Sequence, residues 1–326
     1  MRAIVVTRPG GPEVLALRDV PTPEPPPGHA RVRVAFAGVN RADLLQRLGL
    51  YPAPRGAPAD VPGLEYAGVI DALGAGVDGW REGDRVMGIV AGGAYAEHVV
   101  VHARELSATP AELSDEEAGA VPEAFVTAYD ALAVRGRLAP GERVLVHAAG
   151  SGVGTAGAQI ARALGCLVVG TSRTPDKLER CRALGLDHGV VPREGRFADE
   201  VRARCGGAGV DVVLDLVGGA YLPETLRALA PRGRVVLVGL TAGRTAEVDL
   251  GAVLSLRAEL IGTVLRSRPL EEKIEAARLL SRTLAPWLAR GVVRPSVDAV
   301  FPLEDAAAAH ARVASNESFG KVLLRV

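Results

Sequence analysis

The sequence predicts an α/β protein in two parts, a β-rich barrel or sandwich and a doubly wound parallel sheet. Three observations lead there. Residues 1–120 carry short apolar alternations separated by Pro/Gly punctuation. From about residue 122, strand-like apolar runs alternate with helical stretches, the rhythm of a parallel sheet with right-handed crossovers. One of those runs ends in a glycine-rich turn that opens a helix. A chain of 326 residues accommodates two domains.

The alternations fall at Ala3–Thr7, His29–Phe36, Ala67–Leu73, Arg85–Val90 and Ala96–Val101, with breaks at Pro21–Gly28 and Ala53–Gly63. Short strands at regular spacing suit a small barrel or sandwich. Asn40–Leu48 and Ser114–Ala120 read as helices, the second opened by the capping box Ser114-Asp-Glu-Glu. The parallel sheet takes strands from Arg143–His147, Leu167–Thr171, Gly189–Val191, Val210–Leu214, Arg234–Gly239 and Glu259–Val264. Between them lie the helices Gly152–Leu164, Pro175–Leu184, Phe197–Arg204 and Tyr221–Ala230. Six strands in this order make a dinucleotide-type domain. A helix over Leu270–Arg290, a strand Val297–Phe301, a helix Leu303–Ala314 and a last strand Lys321–Val326 follow, the last rejoining the first domain. The expected division is 1–121 completed by 266–326, with 122–265 inserted.

Acids and bases cancel at 38 each. A neutral chain without a basic block predicts neither a nucleic-acid nor a membrane partner. No apolar run approaches the ~20 residues that span a bilayer. Arg8 and Pro9 interrupt the N-terminal segment before a signal-peptide core forms, so a cytoplasmic location is expected. Cys166, Cys181 and Cys205 are too few for a disulfide framework or a Cys₄ zinc site. The six histidines (His29, His98, His102, His147, His188 and His310) show no ligand spacing and read as structural. Only Lys177, Lys273 and Lys321 are lysine, which makes each one conspicuous.

The strongest chemical signal is the strand–turn–helix stretch Arg143-Val-Leu-Val-His-Ala-Ala-Gly-Ser-Gly-Val-Gly154. Missing side chains let the main chain approach a pyrophosphate, which the helix N-terminus receives. The preferred register is Ala149-x-Ser151-x-x-Gly154 rather than Gly152-x-Gly154-x-x-Gly157, because the first position belongs where the strand stops. Ser151, Gly152 and Val153 are the expected contacts. The second strand ends Thr171-Ser-Arg-Thr-Pro-Asp-Lys177, with no acid over Thr171–Thr174 to hold a free ribose 2′-OH. Ser172, Arg173 and Lys177 would bind a 2′-phosphate through charge-assisted hydrogen bonds, so the expected cofactor is NADPH.

Further motifs fall in a family order: Gly38-Val-Asn-Arg-Ala-Asp43, Pro62-Gly-Leu-Glu-Tyr-Ala-Gly68, Gly83-Asp-Arg-Val86, Gly93-Ala-Tyr-Ala-Glu97, the turn Ala148–Gly154, Gly170–Lys177 and Gly320-Lys-Val-Leu323. Together they resemble the medium-chain dehydrogenase/reductase superfamily, in its zinc-free, zeta-crystallin-like quinone oxidoreductase branch. The resemblance covers essentially the whole chain. It implies a GroES-like β-barrel catalytic domain around an inserted Rossmann domain. Zinc-dependent members place a Cys ligand where this chain has Asn40, and a His-Glu pair where it has Leu64-Glu65. Leucine cannot ligate and Asn is a poor substitute for thiolate, so no metal is expected.

The resemblance implies zinc-independent hydride transfer from NADPH to a quinone. An NADPH-dependent enone reductase, and a non-catalytic NADPH- or RNA-binding protein, are the alternatives. By resemblance Asn40 donates to the acceptor's oxygen, Tyr51 stacks on a planar ring or hydrogen-bonds it, and Thr127 approaches the nicotinamide carboxamide. Gly218, Gly239, Leu240, Leu265, Arg266 and Ser318 are further implied cofactor contacts, with Arg266 and Arg268 facing either phosphate or solvent. A tyrosine common after the third strand is replaced here by Val191-Pro192-Arg193. Homodimers or homotetramers are common in the family.

Overall fold

The computed structural model describes residues 1–326. Its strands in chain order are β1 (Arg2–Val6), β2 (Leu15–Asp19), β3 (His29–Val39), β4 (Glu65–Leu73), β5 (Arg85–Ile89), β6 (His98–His102) and β7 (Ser107–Ala108). The middle of the chain gives β8 (Arg143–Val146), β9 (Leu167–Thr171), β10 (His188–Val190), β11 (Val210–Asp215), β12 (Leu229–Leu237) and β13 (Glu259–Gly262). β14 (Val297–Pro302) and β15 (Lys321–Arg325) close the sequence. Two compact units result: Met1–Val126 with Leu265–Val326, and Thr127–Val264. The division falls inside the helix Pro122–Tyr129 rather than just before it.

In the first unit, a mixed sheet runs β14-β15-β3-β4-β5-β7, with β6 also on β3. β3 alternates buried and more exposed residues and packs Ala30, Val32 and Val34 into the core with Tyr66, Ile70 and Val101. β15 and β4 flank β3 and run antiparallel to it. The C-terminal end of β3 therefore meets the first residues of β4 and of β15, an arrangement on which the site depends. Leu303, Ala306 and Ala309 from the C-terminal segment lie in the same core.

The second unit is a six-stranded parallel sheet of order β10-β9-β8-β11-β12-β13. The strand order reverses beside β8, and a doubly wound sheet takes its ligand at that switch point. Val144, Leu145, Val146, Val168, Val169 and Val212–Leu214 are fully buried, as strands covered on both faces must be.

Several expectations shift. The hairpin partner β2 had no sequence signal, because Leu15 and Ala16 are only half-buried and Leu17, Arg18 and Asp19 are exposed. β12 begins at Leu229, ahead of Pro231 and Gly233, across a register break between Val210 and Val212. A helix Leu250–Leu256, capped by Asp249, lies where no helix was expected. The Leu270–Arg290 helix is interrupted by a wider turn at Leu280–Leu284. No helix is long and apolar enough to cross a membrane.

Candidate active site

The strand β8 stops at Val146, and Ala148 takes a left-handed conformation (φ 48°) to turn the chain. Ser151 caps the helix Gly152–Ala163, its Oγ accepting from the Gly154 N–H at 3.1 Å. Thr155 N donates to Ser151 O, which starts the helical ladder. The N–H groups of Gly152 and Val153 are the first two of the helix and have no intrahelical acceptor. A Cβ on Gly154 would lie 2.4 Å from the Ala148 carbonyl oxygen, so the turn closes only around glycine. This is the register with Ala149, Ser151 and Gly154 at the three special positions. Free donors at the positive end of a helix, aimed from the switch point, fit a pyrophosphate.

The side chains expected at the 2′-phosphate gather beside this turn. The stem of Lys177 lies against Gly150, where an added Cβ would meet Lys177 Cδ at 2.9 Å. Ser172 is buried, its Oγ accepting from Thr174 N at 3.4 Å, while Arg173 is exposed. Arg173 stands near Tyr221, whose phenol burial pushes up and the Arg173 charge pulls back. Tyr221, which the sequence offered only as a helix start, packs on the rings of Phe197 and His147. His147 is buried between Thr171 and Thr225 hydroxyls at 2.8 and 2.9 Å, and burial pushes its pKa down. It serves the core, as lone histidines do.

Gly218, Gly239 and Leu240 also come together. Gly218 has φ 59°, and a Cβ there would strike Leu240 Cδ2 at 2.7 Å. The buried Asp215 carboxylate ties the loop down, Oδ1 accepting from Val217 N and Gly218 N, both at 2.8 Å. Its Oδ2 is buried with no partner.

The first unit holds the second cluster. Lys321 Nζ donates to Glu65 Oε1 at 2.5 Å, Asn40 Oδ1 at 2.6 Å and Val39 O at 3.3 Å. Asn40 Nδ2 donates to Glu65 Oε1 at 2.8 Å, and the Glu123 N–H donates to Glu65 Oε2 at 2.9 Å. Asn40 follows β3, Glu65 opens β4 and Lys321 opens β15, so three adjacent strand ends deliver them. Gly38 leaves the room: a Cβ there would lie 2.1 Å from Glu65 Oε1. Behind this cluster a directional chain runs through Arg47, His310, Tyr95 and Asp43. Arg47 donates to His310 Nδ1, His310 Nε2 to the Tyr95 oxygen, and the Tyr95 hydroxyl to Asp43 Oδ2. Burial holds His310 neutral, its pKa pushed down to about 3, and raises Asp43 to about 6.

Two of the expected side chains are engaged within the protein. Asn40 directs Nδ2 to Glu65 and, at 3.4 Å, to Gly38, and its oxygen accepts from Lys321. Arg266 is 4% exposed, and its guanidinium donates to Ala91 O, Tyr51 O and Gln46 Oε1. It clamps the Tyr51 loop, lying 5.1 Å over the Tyr51 ring. Tyr51 itself is half-buried, and burial raises its phenol pKa. Leu265 is buried and, with Arg266, lines a cavity bounded by Val90, Ala91 and Val126. Ser318 is half-buried ahead of β15, and Thr127 is buried on the helix Pro122–Tyr129. Lys321, Glu65 and Glu123, which cluster with Asn40, were not among the sequence candidates. The rarity of lysine was the available signal for Lys321.

The fold and these two clusters fit a nucleotide-dependent dehydrogenase or reductase. The alcohol dehydrogenase GroES-like domain model matches residues 26–111, and the model described as zinc-binding dehydrogenase matches residues 152–282. A quinone oxidoreductase of Rattus norvegicus is 33% identical over 99% of this chain and 97% of its own. A solved structure of Escherichia coli quinone oxidoreductase complexed with NADPH superposes with a TM-score of 0.90 at 30% identity, covering all of both chains. A structure named as an NAD-dependent alcohol dehydrogenase gives 0.91 at 34% identity, again over both whole chains. The chain belongs to the medium-chain dehydrogenase/reductase superfamily, in its quinone oxidoreductase branch.

Proposed function

We propose that this protein is an NADPH-dependent quinone oxidoreductase that works without zinc. The observation that carries the reading is Lys321. Its ammonium, bonded to Glu65 and Asn40, seats a fixed positive charge where a metal would need donors. Leu64, the residue before Glu65, offers no ligating atom, and no group of three or more His, Cys, Asp or Glu is arranged to hold a metal ion. Without a Lewis acid an alcohol is not acidified, whereas an electron-poor acceptor takes a hydride unaided.

NADPH, when bound, supplies that hydride. Gly152 and Val153 N–H, with the Ser151 hydroxyl, hold the pyrophosphate, while Ser172, Arg173 and Lys177 hold the 2′-phosphate. Gly218, Gly239 and Leu240 line the groove at the carboxyl ends of β11 and β12, and Thr127 takes the carboxamide. Tyr51, pinned by Arg266, offers its ring to the planar acceptor. The reading extends to a small-molecule partner, a cytosolic setting and a homodimer or homotetramer. Three buried free cysteines suit a reducing compartment, and the exposed Leu250, Leu254, Leu260 and Val264 suit an oligomer contact. The test is NADPH and NADH oxidation by chelator-treated protein with 1,4-benzoquinone. Faster turnover with NADPH, unchanged by chelation, is expected; stoichiometric zinc whose removal abolishes turnover would overturn the reading.

A further inference from the structure

Reduction of a quinone by two electrons also needs a proton at the oxygen that becomes a hydroxyl. The groups around the acceptor site differ sharply in their ability to give one. Asn40 and Lys321 spend their donors on Glu65, Gly38 and Val39. Arg266 never releases its proton at working pH. Tyr51 is a weaker acid than free tyrosine, because it is half-buried. Asp43 accepts from Asn40 N, Gly63 N and the Tyr95 hydroxyl, and Glu65 accepts on both oxygens. Glu123 is different. Its backbone N–H anchors it to Glu65, yet its carboxyl takes part in no hydrogen bond, and Oε2 is shut off from solvent without a partner.

Resting on the quinone reductase reading, we propose that Glu123 is the proton donor of the reaction, a carboxylic acid held beside Glu65 to protonate the acceptor's oxygen. As the hydride forms its bond to the acceptor and reduces it by two electrons, the Oε–H bond of Glu123 breaks and an O–H bond forms on the acceptor. Glu123 is left as a carboxylate, the nicotinamide is left oxidised, and a solvent proton restores the acid. The groups facing Glu123 are Glu65 and Asp43, which disfavour its ionisation, and Lys321 and Arg266, which favour it. Burial is the largest influence and Glu65 the next, and together they raise the carboxyl to about 8. It therefore holds its proton at neutral pH, where an ordinary glutamate does not. An acid kept neutral without an internal acceptor has its hydroxyl left to give to a ligand.

The test compares the full-length wild type, Glu123→Gln and Glu123→Asp, each with NADPH and 1,4-benzoquinone. Expected is a wild-type kcat that falls as pH rises through about 8. Glu123→Gln should lose roughly 10²-fold or more in kcat, with a flat profile and no solvent deuterium effect. Glu123→Asp should keep the falling limb. Two readouts do not depend on turnover. NADPH titration should give the same affinity for all three proteins, and the infrared band of a protonated carboxylic acid at pH 7 should vanish in Glu123→Gln. A Gln variant with wild-type kcat and an intact falling limb overturns the proposal while leaving the reductase reading in place. A wild type that reduces neither quinones nor enones removes both. If Glu123→Gln fails to fold, the wild-type profile and its carboxyl band decide: no limb near 8 and no band overturn the assignment.

Discussion

The two clusters are built on opposite plans. The nucleotide turn is a contiguous stretch, Ala148 to Gly154, and its binding atoms are main-chain N–H groups that any sequence permitting the turn would present. The acceptor cluster joins Asn40, Glu65, Glu123 and Lys321, with the Asn40–Lys321 contact spanning 281 positions. Its working groups are side chains, and within them Glu65 and Lys321 are opposite charges drawn into an interior where each must answer the other. The difference teaches where this molecule is fragile. A main-chain site loses little when one side chain is trimmed, whereas a buried charge cluster fails when one member leaves.

The largest effect follows from that contrast. Lys321→Met leaves Glu65, fully buried, with a charge that only Asn40 Nδ2 and Glu123 N can answer. Breaking a buried pair by removing one partner costs about 3–5 kcal/mol, most of it the stranded charge. Denaturant unfolding should register that loss, and Glu65→Gln in the same chain should recover most of it. A single-variant loss below about 1 kcal/mol would mean that the cluster tolerates the departure of one member. The contrast between the clusters would then collapse.

A middling effect is expected at the cofactor's far end, where the second unit does use side chains. Arg173 is exposed and Lys177 partly so, so each contributes through solvent-screened contacts. Replacing both by Glu should raise the NADPH KM by roughly ten- to hundredfold, since a charge-assisted hydrogen bond is worth about 1.5–3 kcal/mol. NADH, without the 2′-phosphate, should be held as before. Equal weakening of both cofactors would show that these side chains serve the turn itself, through the contact of Lys177 with Gly150.

The same contrast decides what could be read before any fold was known. The turn was legible because its determinants are adjacent: a buried run, glycines at fixed offsets, an amphipathic helix. Six parallel strands were legible from near-continuous valine and leucine runs, and only β12 was misplaced, because Pro231 and Gly233 interrupt it. The acceptor cluster was only half legible. Asn40 stood out by its motif, but its bonds to Glu65 and Lys321 did not, because what an amide touches depends on which groups surround it. Those groups came from β4, β15 and a helix whose proximity depends on sheet register. The contacts of Arg266 were hidden for the same reason: an arginine after a parallel strand suggests phosphate, and only the packed Tyr51 loop shows what its side chain holds.

The smallest effect belongs to Ser151, the one side chain within the main-chain site. Its Oγ accepts from Gly154 N, so Ser151→Ala removes an N-cap worth about 1 kcal/mol, which thermal unfolding would detect as a shift of a few degrees. The same hydroxyl can donate one hydrogen bond to phosphate, worth about 1 kcal/mol, or roughly fivefold in affinity. Gly152 and Val153 keep their N–H groups, and the uncapped Gly154 N–H is released toward the ligand, offsetting part of that loss. NADPH titration of Ser151→Ala should therefore show no more than about a fivefold weaker Kd. A hundredfold loss would place phosphate recognition in the hydroxyl rather than the main chain, and the nucleotide turn would then be as dependent on single side chains as the acceptor cluster.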